Sequence, residues 1–297
     1  MEYIQGTTEF LIQENTAVTL GKFDGVHRGH QKLIHQVLDA KKNGLKSVVF
    51  TMNPGKKMLL LTEEEQREVL SRQKIDYVIR CPFIPQISHM SPEEFIERIL
   101  VGQLHAKQIV VGTDFHFGYQ RQGDCALLQR LQERYGYRVI VMEKEQQGDR
   151  DISSSYTREA LDVGNMELVN GLLGYPFPVM GEVRHGRRIG RTLGMPTTNL
   201  IPPEEKLLPP NGVYVSGTVI GGKTYPGITN IGYKPTVGET AFRGVETYLF
   251  DFDQDLYGKK IEVQLYQYVR PEKKFHSLEE LKERMKVDIS LGKEYFS

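Results

Sequence analysis

Residues 21–30 form the stretch with the clearest chemical potential, and they read Gly-Lys-Phe-Asp-Gly-Val-His-Arg-Gly-His. The short apolar run 17–20 precedes them, and apolar residues at helical spacing follow from Leu33 to Leu38. This pattern predicts a strand, a turn and a helix N-terminus, where backbone N–H groups lack partners and the helix dipole is positive. Anions, and phosphates above all, bind at such a terminus.

The glycines and histidines of this stretch suit a phosphate. Gly21, Gly25 and Gly29 carry no Cβ, so the backbone can approach a ligand closely. His27 and His30 are predicted to point to similar sides of the first helical turn, and two imidazoles there can donate hydrogen bonds as negative charge grows. The stretch is neither a Walker A loop nor the dinucleotide-binding glycine pattern. The alternative is a structural turn with surface histidines. A single histidine would favour that alternative, whereas the complete ten-residue motif favours a phosphate site.

Other polar residues follow predicted strands in the first half of the chain. Apolar strand candidates at 18–20, 47–51, 76–79, 108–111 and 138–142 alternate with helical patterns. This alternation predicts βαβ units and a parallel sheet with helices on both faces. Ligands bind beyond the carboxyl ends of such strands. The residues predicted to share a site at that edge include Asn53, Gly112, Asp114, Phe115, Ser154 and Arg158.

Residues 186–199 carry the chemistry of the second half. Glycine and arginine alternate there, with Gly186, Arg191 and Gly194 among them, which suits a flap that closes over phosphates. Thr197 and Asn199 are predicted to share one face of an extended segment, where their oxygens suit Mg²⁺ held together with phosphate oxygens. A tight basic loop with ordinary turn residues is the alternative.

Glu246 precedes the predicted strand 247–252. A carboxylate beside a bound metal can take a proton from a substrate hydroxyl, although a glutamate by itself is usually a solvated surface residue. Further alternating runs occur at 179–183, 213–220, 223–227 and 261–269, and Gly221-Gly222 is a hairpin signal. These runs predict a small antiparallel barrel. A capping box at 277–280 predicts a terminal helix packed on it.

Composition limits the function classes. Lys+Arg and Asp+Glu both number 38, and this balance argues against a general nucleic-acid binder. No run approaches the ~18 apolar residues of a membrane span, and the N-terminus lacks the pattern of a signal peptide. Cys81 and Cys125 lie far apart, as expected for a reducing cytosol. We therefore predict a cytoplasmic protein without nucleic-acid or membrane partners, whose oligomeric state stays open.

These motifs together resemble the prokaryotic bifunctional riboflavin kinase/FAD synthetase family. His27-Arg28-Gly29-His30 matches a His-x-Gly-His signature, residues 111–118 and 152–158 match further motifs, and residues 196–199 match a Pro-Thr-x-Asn signature. The resemblance implies an α/β fold, with a Rossmann-like nucleotidylyltransferase domain over residues 1–165 and a linker at 166–180. A small antiparallel β-barrel of the riboflavin kinase fold, with a terminal helix, would follow at 181–297.

The resemblance also implies two reactions. The C-terminal module would phosphorylate riboflavin to FMN with ATP, with Thr197 and Asn199 holding Mg²⁺ and ATP phosphates and Glu246 as the general base. The N-terminal module would transfer AMP from a second ATP to FMN, giving FAD and pyrophosphate. The residues implied to stabilise that transfer are His27, His30, Ser154 and Arg158. The wider binding set comprises Gly21, Phe23, Asp24, Gly25, Gly29, Asn53, Gly112, Asp114 and Phe115, with Gly186, Arg191 and Gly194 in the second half.

One position departs from the family pattern. The family usually has Pro-His-Pro after the second strand, whereas this chain has Asn53-Pro54-Gly55. Two alternatives therefore stay beside the bifunctional enzyme: a riboflavin kinase with weak or lost adenylyltransferase activity, and a non-catalytic regulator that binds flavin or nucleotide.

Overall fold

The computed structural model describes residues 1–52, 58–184, 195–234 and 242–297. The chain divides into two compact units. The first unit contains Met1–Lys57 and Gln66–Ser153, and the second contains Met58–Glu65 and Ser154–Ser297. Within the described residues, no helix combines the length and the apolar character that crossing a membrane requires.

The first unit is built on a six-stranded sheet whose order is β1-β4-β3-β2-β5-β8. All neighbouring strands pair in parallel, so the predicted parallel sheet is confirmed. Its strands are β1 (Glu2–Gln5), β2 (Thr16–Gly21), β3 (Lys46–Met52), β4 (Tyr77–Cys81), β5 (Ala106–Gly112) and β8 (Arg138–Met142). Two small hairpins complete the strands of this unit: β6 (His116–Phe117) with β7 (Gly123–Asp124), and β9 (Gln146–Gln147) with β10 (Arg150–Asp151).

Helices connect the parallel strands, as a crossover between them requires. They are α1 (Arg28–Asp39), α2 (Glu63–Ser71, in this unit from Gln66 onward), α3 (Pro85–Ser88), α4 (Pro92–Glu94) and α5 (Cys125–Tyr135). The Ser91 side chain caps α4 by accepting a hydrogen bond from the Glu94 N–H, a role that serine commonly takes at helix starts. The chain continues from α4 into a π-helix, Phe95–Gln103, whose buried side chains join the core under the sheet.

The second unit contains a closed barrel with strand order β11-β12-β15-β14-β13-β16. Its strands are β11 (Phe177–Arg184), β12 (Thr197–Leu200), β13 (Gly212–Ile220), β14 (Lys223–Lys234), β15 (Phe242–Leu249) and β16 (Lys260–Pro271). All pair antiparallel, so the predicted barrel is confirmed. The helices are α6 (Ser154–Asp162), α7 (Met166–Leu173) and the terminal α8 (Leu278–Tyr295).

Local sequence signals account for several features of the barrel unit. The β13–β14 hairpin turns at Gly221 and Gly222, whose φ angles of 58° and 80° lie in the left-handed region. The Ser277 side chain caps α8 by accepting from the Glu280 N–H. Ile289 of α8 packs against a cluster that includes Val213 and Ile228 on the outside of the barrel. The terminal helix therefore covers an apolar part of the outer barrel surface.

Candidate active sites

The His-x-Gly-His signature lies at the start of α1, at the carboxyl end of β2. His27 is the N-cap residue, and its Nδ1 accepts a hydrogen bond from the His30 N–H at 3.4 Å. The two imidazole rings stack with their centroids 3.6 Å apart. A Cβ at position 29 would lie 3.2 Å from His27 Nδ1, so glycine there lets the ring fold back over the helix start.

Burial keeps both imidazoles uncharged at neutral pH. His27 is only 6% exposed, and this burial lowers its pKa to about 4. Burial also lowers the pKa of His30 well below its usual value, and the neighbouring His27 adds to that effect. Because Nδ1 of His27 accepts a hydrogen bond, the proton of its neutral ring lies on Nε2. His27 can therefore act as a neutral N–H donor through Nε2.

The turn before the signature holds the predicted residues Gly21, Phe23, Asp24 and Gly25. Gly25 has a φ of 85°, which favours glycine. The Phe23 ring is fully buried and lies against the His30 ring, with centroids 4.9 Å apart. The turn thus supplies an aromatic support beneath the histidine pair.

A second group of predicted residues follows β5. Gly112 ends that strand, and Asp114 lies two residues further on with an exposed side chain. Lys144 pairs with Asp114 at 3.1 Å and with Asp151 at 3.4 Å, and the hydrogen bond that Lys144 donates to Asp114 raises the pKa of Lys144. The ring of Phe115 stacks on the ring of Phe117.

An open pocket of about 280 Å³ lies beside Asp114 and Lys144. The remaining residues that line it are Thr113, Glu143, Gln146 and Asp151. Sequence reasoning did not select Lys144. Its position after β8, at the same sheet edge as Asp114, is the signal that could have identified it.

Ser154 and Arg158 belong to the second unit, where they lie on α6. Ser154 is the first residue of that helix. The Arg158 guanidinium donates a hydrogen bond to the Met58 carbonyl at 2.7 Å. Arg158 is thereby anchored to residues 58–65, which belong to the same unit.

The barrel brings Thr197, Asn199 and Glu246 together. Thr197 Oγ1 donates a 2.7 Å hydrogen bond to Glu246 Oε1. Asn199 lies directly opposite Glu246 in the β12–β15 register, so these side chains share one face of the sheet. Glu246 lies inside β15 rather than before it, and the predicted strand 247–252 is wrong in both bounds. The β15 pairing with β14 extends back to Phe242 and stops at Leu249.

A pocket of about 340 Å³ opens beside these oxygens. Thr197 and Asn199 line it together with the loop at residues 252–257, and Val183 and Leu249 add apolar surface. The loop side chains that line it are Phe252, Asp253, Gln254, Asp255, Leu256 and Tyr257. Aliphatic and aromatic surface beside a few oxygen donors is the usual composition of a small-molecule site.

The structure thus forms two clusters from the predicted residues. Residues 21–30 and the residues after β5 lie at carboxyl strand ends in the first unit, and Thr197, Asn199 and Glu246 form the cluster of the second. Asn53, Gly186, Arg191 and Gly194 lie outside the described residues.

Two family models match the chain in succession. The model for FAD synthetase matches residues 10–156, and the model for riboflavin kinase matches residues 173–296. The bifunctional riboflavin kinase/FMN adenylyltransferase of Escherichia coli K12 is 36% identical, over 96% of this chain and 94% of that protein. The chain belongs to this bifunctional family. The resemblance predicted from the motifs is therefore confirmed.

Further comparisons agree with membership of the riboflavin kinase/FMN adenylyltransferase family. The Bacillus subtilis protein of that name is 36% identical, over 96% of this chain and 94% of that protein. Among solved structures, a protein from Streptococcus pneumoniae named a macrolide-efflux protein is 30% identical. Its TM-score is 0.87, with 99% of each chain covered, so the two chains share the fold throughout.

Proposed function

We propose that this chain is a bifunctional enzyme that converts riboflavin to FMN in the barrel unit and FMN to FAD in the sheet unit. The observation that carries the proposal is the pairing of Thr197 and Asn199 with Glu246 on adjacent strands, in a chain that also carries a histidine pair at a helix N-terminus. The cluster in the barrel suits a reaction at the γ-phosphorus of ATP, and the histidine pair suits a reaction at the α-phosphorus.

Riboflavin kinase activity requires a base and charge neutralisation. Glu246 takes the proton from the 5′-hydroxyl of riboflavin, whose oxygen then attacks the γ-phosphorus of ATP. The bond between that phosphorus and the bridging oxygen breaks, and ADP leaves. The hydrogen bond from Thr197 orients the carboxylate for this proton transfer. Gly186, Arg191 and Gly194 are proposed to contribute to nucleotide binding.

The oxygen atoms beside Glu246 fit a magnesium ion. The Thr197 hydroxyl and the Asn199 amide oxygen are hard ligands of the kind that Mg²⁺ accepts when nucleotide phosphates complete its coordination. When bound there, the ion would neutralise negative charge on the phosphates. Thr197 and Asn199 are therefore the proposed metal ligands.

FMN adenylyltransferase activity needs no base, because the FMN phosphate is already an anion. A phosphate oxygen attacks the α-phosphorus of ATP, and the bond to the bridging oxygen of pyrophosphate breaks. His27 and His30 are proposed to donate hydrogen bonds to the charge that develops. Arg158 and Ser154 are proposed to assist with the nucleotide phosphates. The other proposed binding residues are Gly21, Phe23, Asp24, Gly25, Gly29, Asn53, Gly112, Asp114 and Phe115.

The proposal includes the domain limits and the compartment. The adenylyltransferase domain is proposed to span residues 1–165 and the kinase domain residues 181–297, joined through 166–180. These proposed limits differ from the two compact units, because residues 58–65 and 154–165 group with the barrel. The proposed compartment is the cytoplasm, and the free thiols of Cys81 and Cys125 are compatible with a reducing environment.

The test is to incubate the protein with riboflavin, ATP and Mg²⁺ and to separate the flavins by chromatography. FMN followed by FAD supports the proposal. If only FMN forms, the protein is a riboflavin kinase without adenylyl transfer. If neither FMN nor FAD forms, the protein binds flavin or nucleotide without catalysis.

The variant Asn199→Ala separates the two steps. It should stop FMN formation from riboflavin and leave FAD formation from added FMN unchanged. The matched control is Asn43→Ala, which truncates an exposed asparagine of the first unit and should leave both steps unchanged. Parallel loss of both steps in folded Asn199→Ala protein would contradict the two-site proposal.

A further inference from the structure

The turn between β2 and α1 holds two residues in a costly backbone conformation. Phe23 has a φ of 48° and Val26 a φ of 38°, and neither is glycine. The left-handed region costs an L-residue about 1–2 kcal/mol, and a β-branched residue such as valine is rare there. Both side chains are fully buried. Strain of this kind persists only where surrounding contacts hold it in place.

The side chain of Gln66 supplies such contacts. Its Nε2 donates to the Phe23 carbonyl at 2.9 Å and lies 3.3 Å from the Lys22 carbonyl. Thr51 Oγ1 donates to the same Lys22 carbonyl at 3.0 Å. Gln66 is only 4% exposed, so water does not replace these bonds readily.

Arg80 fixes the orientation of the Gln66 amide. The Arg80 guanidinium donates to Gln66 Oε1 at 3.0 Å, and Arg80 is itself only 8% exposed. The Arg80 guanidinium can donate hydrogen bonds but cannot accept them, so the amide oxygen of Gln66 must face Arg80. The amide NH₂ group of Gln66 therefore faces the carbonyls of the turn.

The held backbone determines where the Phe23 ring lies, and His30 rests on that ring. Within the described part of the chain, Nδ1 of His30 has no hydrogen-bond partner. The ring of His30 is therefore oriented chiefly by its contacts with the Phe23 and His27 rings, at centroid distances of 4.9 and 3.6 Å. A shift of the Phe23 backbone would be passed directly to the histidine pair.

We propose that Gln66 is a positioning residue for adenylyl transfer, which fixes His30 through the backbone and ring of Phe23. The inference rests on the proposed function of the first unit, because it assigns a role to His30 in that reaction. Gln66 touches no reacting group; its effect is on the geometry of a donor.

The decisive variant is Gln66→Glu. It keeps the side-chain length and an acceptor for Arg80, but it places an oxygen against the carbonyls of Lys22 and Phe23. We expect kcat for FAD formation from FMN to fall about 10- to 100-fold, because small misplacements of a catalytic group have effects of that size. The fall in kcat should exceed any rise in the KM for FMN, since a misplaced donor weakens the transition state more than it weakens the bound substrate.

The matched control is Glu68→Gln, which makes the reverse chemical change on the same helix at a half-exposed residue paired with Arg72. It should leave kcat unchanged. Gln66→Met removes the amide N–H donors without adding charge. It tests the positioning role of Gln66 if the Gln66→Glu protein does not fold. Unchanged kcat in a folded Gln66 variant, beside an active wild-type enzyme, would overturn the inference. An inactive wild-type enzyme would instead contradict the proposed function.

A second readout does not depend on activity. The Cε1–H resonance of His30 in an NMR spectrum of the ligand-free protein reports the ring currents of Phe23 and His27. We expect that resonance to shift in Gln66→Glu and Gln66→Met and to stay in place in Glu68→Gln. An unmoved His30 resonance in both Gln66 variants would overturn the positioning role even if turnover fell.

Discussion

In the first unit, burial removes charge from His27 and His30, whereas in the second unit Glu246 lies on a barrel strand beside the Thr197 hydroxyl and opposite Asn199. Under the proposed residue roles, the difference between the two sites follows from the two substrates. The FMN phosphate brings its own negative charge, so neutral donors suffice to stabilise the transfer. The riboflavin hydroxyl must lose a proton, so the second site needs a base.

The two sites also differ in how they are held. Strand register places Asn199 opposite Glu246, and a barrel fixes register along every strand. The histidine pair instead depends on a strained turn supported by side chains. The comparison indicates that conservative changes around the turn disturb the first site more than similar changes around the barrel disturb the second.

The largest expected effect comes from removing the proposed base, Glu246. Glu246→Gln keeps the shape and loses the proton acceptor, so phosphorylation of riboflavin should fall about 10²- to 10⁴-fold. FAD formation from added FMN should keep its rate. Rates are measured with each flavin supplied separately, and Glu279→Gln on the exposed start of α8 is the control. Equal loss of both reactions would remove the distinction between the sites.

A complementary loss is expected in the first unit. His30→Ala deletes a proposed donor to the α-phosphate, so adenylyl transfer should fall about 10²- to 10³-fold. The kinase reaction should stay unchanged. His35→Ala, on an exposed position of the same helix α1, should affect neither reaction. A kinase rate that fell with His30→Ala would argue for a shared site.

A buried ion pair in the second unit offers a stability test. Lys206 and Glu65 lie 2.7 Å apart with fully buried side chains, and Lys206 also donates to the carbonyls of Leu60 and Pro178. Lys206→Met would leave the Glu65 carboxylate unpaired, which should reduce the free energy of unfolding by about 3–5 kcal/mol. The effect is measured as the midpoint temperature of thermal unfolding.

The double variant Lys206→Met/Glu65→Gln should recover much of that loss, because no charge is left buried. The control is Lys282→Met at an exposed position of α8. If the single and double variants unfold at the same temperature, the ion pair is not the source of the effect.

The smallest expected effect concerns pH. The folded-state pKa of His27 is about 4, below its unfolded value of 6.5, so the unfolded chain takes up the proton first as pH falls. The free energy of unfolding should therefore drop between pH 6.5 and 4, by about 2 kcal/mol at pH 5 from this residue alone. His27→Asn, which can still cap α1, should flatten that slope in urea unfolding curves. An unaltered slope would show that His27 titrates normally.

Much of the fold was predictable because its signals are local. The apolar runs identify the inner strands of the sheet, and Ser91 and Ser277 mark helix starts. The edge strand Glu2–Gln5 was not predicted, because it is short and its pairing partner, β4, is distant in sequence. The bounds of β15 were wrong because pairing with β14 decides them.

The sequence predicted which residues form the candidate sites better than it predicted how their side chains are arranged. The spacing of His27 and His30 predicts a phosphate site. The stacking of their rings and their lowered pKa values could not be predicted, because both depend on burial in the fold. The left-handed φ of Phe23 could not be anticipated, since L-residues rarely adopt it. The association of Glu65 with Lys206 joins residues far apart in sequence, for which no local pattern exists.

Mixing two single-site variants tests the central claim of separate sites most directly. Glu246→Gln and His30→Ala are each supplied with riboflavin, ATP and Mg²⁺, alone and then together, and flavins are separated over time. The account predicts that neither variant alone makes appreciable FAD, and that the mixture accumulates FMN and then converts it to FAD. A mixture of the two folded proteins that forms no FAD would contradict it.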